Sequence, residues 1–101
     1  MKKSGKVVSG SDVFKDVWEA LESDPREVAN LRVRSKLMTQ IETIIEENGW
    51  TQAEAAQQCG VSQPRINELV RGRISKFSLD ALVKIAAGLG REVRLEIVKA
   101  A

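Results

Sequence analysis

The polar side chains on either side of Gln63 are the residues of this sequence best suited to chemistry. One set contains four polar residues and one proline within a short segment: Gln63, Pro64, Arg65, Asn67 and Glu68. A second set flanks it: Gln52, Arg71, Arg73, Ser75 and Lys76. Amide and guanidinium groups form paired hydrogen bonds with flat polar edges, and cations attract anions. The types present therefore favour binding over catalysis.

Two short helices joined by a tight turn are predicted to position these side chains. Thr51 can cap the first helix, and Glu54 completes a capping box three residues later. Gly60 supplies the turn conformation that other residues adopt reluctantly, and Ser62 can cap the second helix. The inner faces are small or apolar: Ala55, Ala56, Cys59, Ile66, Leu69 and Val70. This combination is typical of a helix-turn-helix that contacts DNA. The alternative is a hairpin of an unrelated helical bundle whose polar face is only solvated.

The same residues resemble the helix-turn-helix of Cro/repressor-type (XRE-family) regulators. Ala56 lies mid-way along the first helix, Gly60 lies in the turn, and Ile66 and Leu69 lie on the second helix. The resemblance extends from about Arg34 to Gly90. More narrowly, the N-terminal extension and the terminal strand expected below resemble HigA-like antitoxins of toxin–antitoxin operons.

Each polar set has an expected role on DNA. Gln63, Pro64 and Arg65 should contact base edges at the start of the second helix, with Asn67 and Glu68 as deeper candidates. Phosphate contacts are expected from the flanking set: Gln52, Arg71, Arg73, Ser75 and Lys76. The family resemblance implies the contact of Gln52, and solvated charge is the alternative for each basic side chain.

Composition excludes several other classes of protein. The 101 residues carry a net charge of +2 and suffice for one domain with a modest core. No histidine is present, which removes the usual general base and the commonest metal ligand. We expect no enzyme activity, cofactor or metal. No apolar run is long enough to span a membrane, and a buried free Cys59 fits the reducing cytoplasm. Trp50 is expected in the core rather than stacked on a base.

The remaining pattern predicts an all-α bundle of about five helices within residues 12–90. After a flexible tail at 1–11, a short amphipathic helix is expected from Asp12 to Leu21. Asp24 and Pro25 then open a long helix that can continue to Asn48, or break near Val33. The DNA-contacting unit spans 51–76 and ends in a basic loop from Arg73. A last helix should begin at Ser78 and end at the glycines 88 and 90.

Residues 91–101 change period, since apolar side chains alternate with polar ones at Val93, Leu95 and Ile97. This pattern predicts one β-strand, and no second strand is evident. An unpaired strand leaves its backbone donors and acceptors unsatisfied. We expect the same strand of a second copy to pair with it, making a homodimer that contacts two DNA half-sites. A loose tail, or an edge docked within the chain, is the alternative.

The N-terminal region is rich in acidic residues from Asp12 to Glu27. Phe14 and Trp18 can complete the core or contact a partner, and both can hold. The antitoxin resemblance implies a basic RelE/HigB-type toxin as that partner. The expected function is a cytoplasmic, sequence-specific DNA-binding repressor, the antitoxin of a HigBA-like pair that regulates its own operon. A stand-alone phage or chromosomal regulator without a toxin is the alternative.

Overall fold

The computed structural model describes residues 24–99, which form four α-helices and one 3-10 turn. In chain order they are α1 (Pro25–Glu47), α2 (Gln52–Cys59), α3 (Gln63–Val70), the 3-10 turn (Ile74–Lys76) and α4 (Leu79–Gly88). None of these helices is long and apolar enough to cross a membrane. The predicted N-terminal tail and the Asp12–Leu21 helix, with Phe14 and Trp18, lie outside the described residues.

Helix α1 is continuous over 23 residues, so the break considered near Val33 does not occur. The Asp24 side chain accepts a hydrogen bond from the Arg26 backbone N–H at 2.9 Å, and Pro25 occupies the first helical position. No glycine or proline interrupts the helix beyond Pro25, and its buried stripe runs almost its whole length: Leu31, Leu37, Met38, Ile41 and Ile45. Because packing stabilises every turn, the length predicted for an uninterrupted helix is realised.

The predicted start and stop signals of the shorter helices are confirmed. Ser62 and Ser78 cap α3 and α4 through their hydroxyl groups, at 3.2 and 3.1 Å from the backbone nitrogens that they cap. Gly60, between α2 and α3, has φ of +73°, a conformation that residues with a Cβ rarely adopt. Helix α4 ends at Gly88, where an added Cβ would meet the Cys59 carbonyl oxygen at 3.0 Å. This close approach brings α4 against the end of α2.

The core lies between α1 and the other helices, and it includes two residues of the loop after α3. Ile74 and Phe77 are 0 % and 1 % exposed. The loop predicted to be basic at Arg73–Lys76 also turns inward to bury Ile74, which the prediction did not include. Trp50 packs against the core, as expected. Cys59 is a free, buried thiol, and burial raises its pKa.

The C-terminal strand expected from residues 91–101 is not formed in the single chain, where residues 91–99 have neither helix nor strand. A strand is defined by hydrogen bonds to a neighbouring strand, and the rest of the described chain is helical, so it offers no edge to pair with. Val93 packs against the core, whereas Leu95 and Ile97 are 66 % and 100 % exposed. Of the three predicted interface residues, Val93 therefore packs within its own chain, and Leu95 and Ile97 are exposed to solvent.

Candidate nucleic-acid interface

The unit formed by α2, Gly60 and α3 is fixed by local hydrogen bonds at each end. The Glu54 backbone N–H donates to Thr51 Oγ1 at 3.1 Å, and the Thr51 backbone N–H donates to Glu54 Oε1 at 2.8 Å. This is the predicted capping box in full. After the turn, the Val61 backbone N–H donates to the Ala56 carbonyl at 3.0 Å, which fixes the direction in which α3 leaves α2.

Helix α3 separates a buried face from a polar one. Ile66 and Leu69 are 0 % and 2 % exposed and anchor the helix in the core. At its N-terminal end, Gln63 and Pro64 are exposed, whereas Asn67 is half-buried one turn further along. The first turn of α3 therefore presents a free amide and an apolar ring to solvent from a helix that cannot rotate without exposing Ile66.

Arg65 and Glu68, both predicted to contact bases, are paired with each other in the free chain. Arg65 Nη1 lies 3.4 Å from Glu68 Oε1, and both side chains are about one-third exposed, at 33 % and 30 %. The guanidinium also lies over the Phe77 ring, 4.0 Å from its centroid. A partly exposed ion pair and a cation–π contact each contribute about 1 kcal/mol or less, so a base can displace them at moderate cost.

The Arg65–Phe77 contact brings the loop after α3 against the recognition face. This loop carries Arg73, Ser75 and Lys76, three of the predicted phosphate contacts. Lys76 and Ser75 are exposed and Arg73 is half-buried. Phe77 therefore connects Arg65, a predicted base contact, to the loop that carries three of the predicted phosphate contacts.

The other two predicted phosphate contacts lie at helix ends. Arg71 is exposed and caps the C-terminus of α3, and Gln52 is the half-buried first residue of α2. A helix N-terminus carries free backbone N–H groups that suit a phosphate oxygen. Their positions are compatible with phosphate binding, and the contacts themselves remain predictions.

Arg34 of α1 also holds the loop after α3, a contact that the sequence analysis did not predict. Its Nη1 donates to the carbonyl oxygens of Ile74 and Phe77, both at 3.1 Å, and its Nε donates to Asn30 Oδ1 at 2.6 Å. The two carbonyls are 40 and 43 residues away in the chain, so no local spacing could reveal the contact. Arg34 and Arg65 together fix Phe77, one through its backbone and the other through its ring.

The charge of this surface suits a polyanionic ligand. Within residues 24–99, no group of three or more His, Cys, Asp or Glu side chains is placed to hold a metal ion. The segment from Ser62 to Lys76 carries four basic residues, Arg65, Arg71, Arg73 and Lys76, against the single acidic Glu68.

A comparison with protein families identifies the family of the chain. The family model described as "Helix-turn-helix domain" matches residues 21–98, which is most of the chain. The chain belongs to the helix-turn-helix domain family. No curated protein and no solved structure matches it. Membership of this family indicates a DNA-binding regulator, and α2 and α3 of this helix-turn-helix domain are the pair of helices that its sequence predicts for that role.

Proposed function

We propose that this helix-turn-helix protein is a sequence-specific transcriptional repressor that binds an operator as a homodimer. The observation that carries the proposal is the first turn of α3. Gln63 and Pro64 are exposed there on a helix whose opposite face, Ile66 and Leu69, is completely buried. Helix-turn-helix proteins contact base edges with the N-terminal residues of the second helix, which lies in the major groove.

Base recognition is assigned first to Gln63 and Pro64. A glutamine amide can pair bidentately with adenine, and an apolar ring can contact a thymine methyl group. Arg65 can pair with guanine once its contacts with Glu68 and Phe77 are broken. Asn67 and Glu68 can contact only bases that lie deeper in the groove. In this proposal Gln63 and Pro64 contact bases first. Arg65 and Glu68 contact bases only after DNA binding has broken their ion pair.

Phosphate binding is assigned to the residues around that turn: Gln52, Arg71, Arg73, Ser75 and Lys76. Phosphate contacts fix the register of the protein on DNA and release condensed counterions, so they produce a strong salt dependence without sequence preference. The loop is suited to this role because Arg34 anchors its backbone at the carbonyls of Ile74 and Phe77.

The proposed biological setting is a toxin–antitoxin operon that the protein regulates. This proposal is supported by the resemblance to HigA-like antitoxins and by the acid-rich sequence from Asp12 to Glu27, which complements a basic, RNA-binding toxin of the RelE/HigB type. A stand-alone phage or chromosomal regulator is the second candidate. Both are non-catalytic DNA-binding roles without a cofactor, and both place the protein with the DNA in the cytoplasm. A reading frame for a small basic toxin beside this gene distinguishes them.

The proposed function is tested by comparing one substitution on two DNA duplexes. A duplex selected from a random library by the wild-type protein serves as operator, and its scrambled version serves as control. Gln63→Ala should lower affinity for the selected duplex by roughly 1–3 kcal/mol and hardly change affinity for the scrambled one.

A matched control uses Gln57, an exposed glutamine of α2. Gln57→Ala should change neither affinity. Equal losses on both duplexes for Gln63→Ala would show that this side chain does not recognise a base, and a wild-type protein that selects no sequence would overturn sequence-specific binding altogether.

A further inference from the structure

In the part of the chain that the structure describes, the large exposed apolar side chains lie on α1 and the C-terminal tail. Within residues 24–99 the exposed large hydrophobic residues are Val33 of α1, at 40 %, and three tail residues: Leu95, Ile97 and Val98, at 66 %, 100 % and 70 %. Val33, Leu95 and Val98 line one cleft of about 420 Å³ between α1 and the tail. Solitary exposed apolar residues are ordinary, but a continuous patch of them indicates a surface that another molecule covers.

A second cleft adjoins the first and shares Leu37, Gln40, Val93 and Arg94 with it. It has a volume of about 510 Å³ and an apolar floor formed by Leu37, Ile41, Ile44 and Ala86. Val93 forms part of its wall, so an apolar side chain lying beside Val93 could fill it. The occupant of this surface must therefore offer aliphatic side chains next to the tail.

We infer that the occupant is the tail of a second copy, paired antiparallel about a two-fold axis that passes through Leu95. This inference rests on the proposed dimer and specifies its register. A two-fold axis perpendicular to a two-stranded ribbon maps each face of the ribbon onto itself. Side chains directly opposite each other share a face, so the axis must pass beside a residue that faces its own copy.

With Leu95 at the axis, the tail is complementary to itself. Leu95 faces Leu95 of the partner subunit, and Val93 faces Ile97 of the partner subunit, all on one face. On the other face, Arg94 lies opposite Glu96 of the partner subunit, and the symmetry repeats this pair. Opposite charges and aliphatic pairs directly across a ladder both stabilise it. The apolar face covers α1, and Ile97 of the partner subunit lies beside Val93, at the apolar cleft.

Other positions of the axis lack this complementarity. An axis at Arg94 or Glu96 places two like charges face to face, which is destabilising. An axis at Val93 also pairs Arg94 with an acidic residue, Glu92, but it places Leu95 opposite Arg91. An axis at Ile97 places Leu95 opposite Lys99. Only the Leu95 register matches charge with charge and apolar with apolar in its central pairs, from Val93 to Ile97; Glu92 and Val98 face each other only at its edge.

The present pairing of Arg94 does not oppose this arrangement. Arg94 Nε lies 3.2 Å from Glu92 Oε1 within the chain, and the two side chains are 87 % and 75 % exposed. Pairs this exposed are broken at little cost. At the ends of the ribbon, Lys99 would face Arg91 of the partner subunit, so the ordered pairing should stop at Glu92 and Val98.

Disulfide trapping tests the register directly. Residues that face each other in an antiparallel pair have Cα atoms about 4.5–5.5 Å apart, which suits a disulfide. Leu95→Cys should therefore cross-link to its own copy under mild oxidation. Ile97→Cys alone should not, because its two copies would lie about 13 Å apart. An equimolar mixture of Val93→Cys and Ile97→Cys should cross-link, but only between the two different chains. All variants also carry Cys59→Ala, a change at a buried position whose effect is checked by melting temperature.

Charge exchange provides a second test without covalent bonds. Arg94→Glu and Glu96→Arg each place like charges across the ladder and should weaken the homodimer about five- to tenfold. Mixed together, the two variants should form a heterodimer with both pairs restored. The double variant, with both changes in one chain, should dimerise like the wild type.

The outcomes separate this inference from the proposed dimer and from DNA binding. Self-cross-linking of Val93→Cys would move the axis and overturn the Leu95 register. A wild-type protein that sediments as a dimer while Leu95→Cys does not cross-link would place the interface elsewhere. A monomer at every concentration would overturn the dimer as well, and titration with DNA would report separately whether a monomer binds it.

Discussion

Two regions differ in how far the single chain orders them: the α2–α3 unit with its loop, from Gln52 to Phe77, and the tail from Arg91 to Lys99. In the first region the helix caps are formed, the turn glycine has its positive φ, and Ile66, Ile74 and Phe77 are buried. In the tail, Leu95 and Ile97 project into solvent and the backbone forms no ladder.

This difference separates two requirements of DNA recognition. A rigid helix that presents Gln63 and Pro64 can be built from local capping and core packing in a single chain. In the proposed dimer, the spacing between two such helices depends instead on a symmetry axis, which requires a second chain. The two regions should therefore fail in different ways when they are altered.

The largest effect is expected from removing the tail. Truncation after Gly90 deletes Val93, Leu95 and Ile97, and with them the proposed dimer contact. The helical bundle should survive because its core residues lie upstream, while operator affinity should fall by about 100-fold or more as bivalent binding is lost. Sedimentation, circular dichroism and operator titration measure the three properties. A truncated protein that remains a dimer would place the interface on the helices.

Trp18→Ala extends the comparison to the N-terminal region, outside the described residues. If Trp18 contacts a toxin, affinity for a cognate toxin should fall by about 2 kcal/mol or more, with operator affinity almost unchanged. If Trp18 is a core residue, melting temperature and both affinities should fall together. Trp18→Phe serves as the conservative control. Lower stability without a selective loss of toxin binding would show that Trp18 is a core residue and not a toxin contact.

Arg34→Met tests whether the loop of the first region is held from α1. The substitution keeps an aliphatic stem but removes the donors to the carbonyls of Ile74 and Phe77. Losing charged hydrogen bonds to partly buried carbonyls should cost about 2 kcal/mol of unfolding free energy. Affinity should also fall on operator and scrambled DNA alike, because the loop proposed to bind phosphates is displaced. Arg32→Met, at an exposed position of the same helix, is the control and should change neither property.

A smaller effect is expected from Arg71→Ala at the end of α3. Arg71 is exposed, so folding should be unchanged, and affinity should fall by a similar factor on operator and scrambled duplexes. The slope of log affinity against log salt should become shallower by about 1. Lys84→Ala, at an exposed position of α4, tests whether any lost positive charge has this effect. An unchanged slope for Arg71→Ala would remove Arg71 from the phosphate contacts.

The contrast between the two regions also explains what could be predicted from the sequence. The caps at Thr51, Ser62 and Ser78 and the turn at Gly60 depend on neighbours within a few residues, so their spacing alone indicates them. The Arg34 contacts span about forty residues and leave no local pattern. Burial of Ile74 escaped prediction for a similar reason, since basic residues surround it and α1 provides its contacts.

The contacts of the tail and of Arg65 could not be predicted from the sequence, for two different reasons. Alternation at Val93, Leu95 and Ile97 predicts a strand, but a strand needs a hydrogen-bonded neighbour, and residues 24–99 provide none. Arg65 has the right chemistry for guanine, yet its position over Phe77 follows from the fold of the loop. In both cases the residue type was informative, whereas its contacts depended on distant or additional parts of the structure.

The central claim, that two α3 helices related by a two-fold axis contact specific bases, is tested most directly by the DNA that the protein itself selects. Repeated binding to a random duplex library should enrich two inverted half-sites whose centres are about 34 Å, or one helical turn, apart. Selection of a single half-site would contradict the dimer, and recovery of unrelated sequences would contradict base recognition by α3.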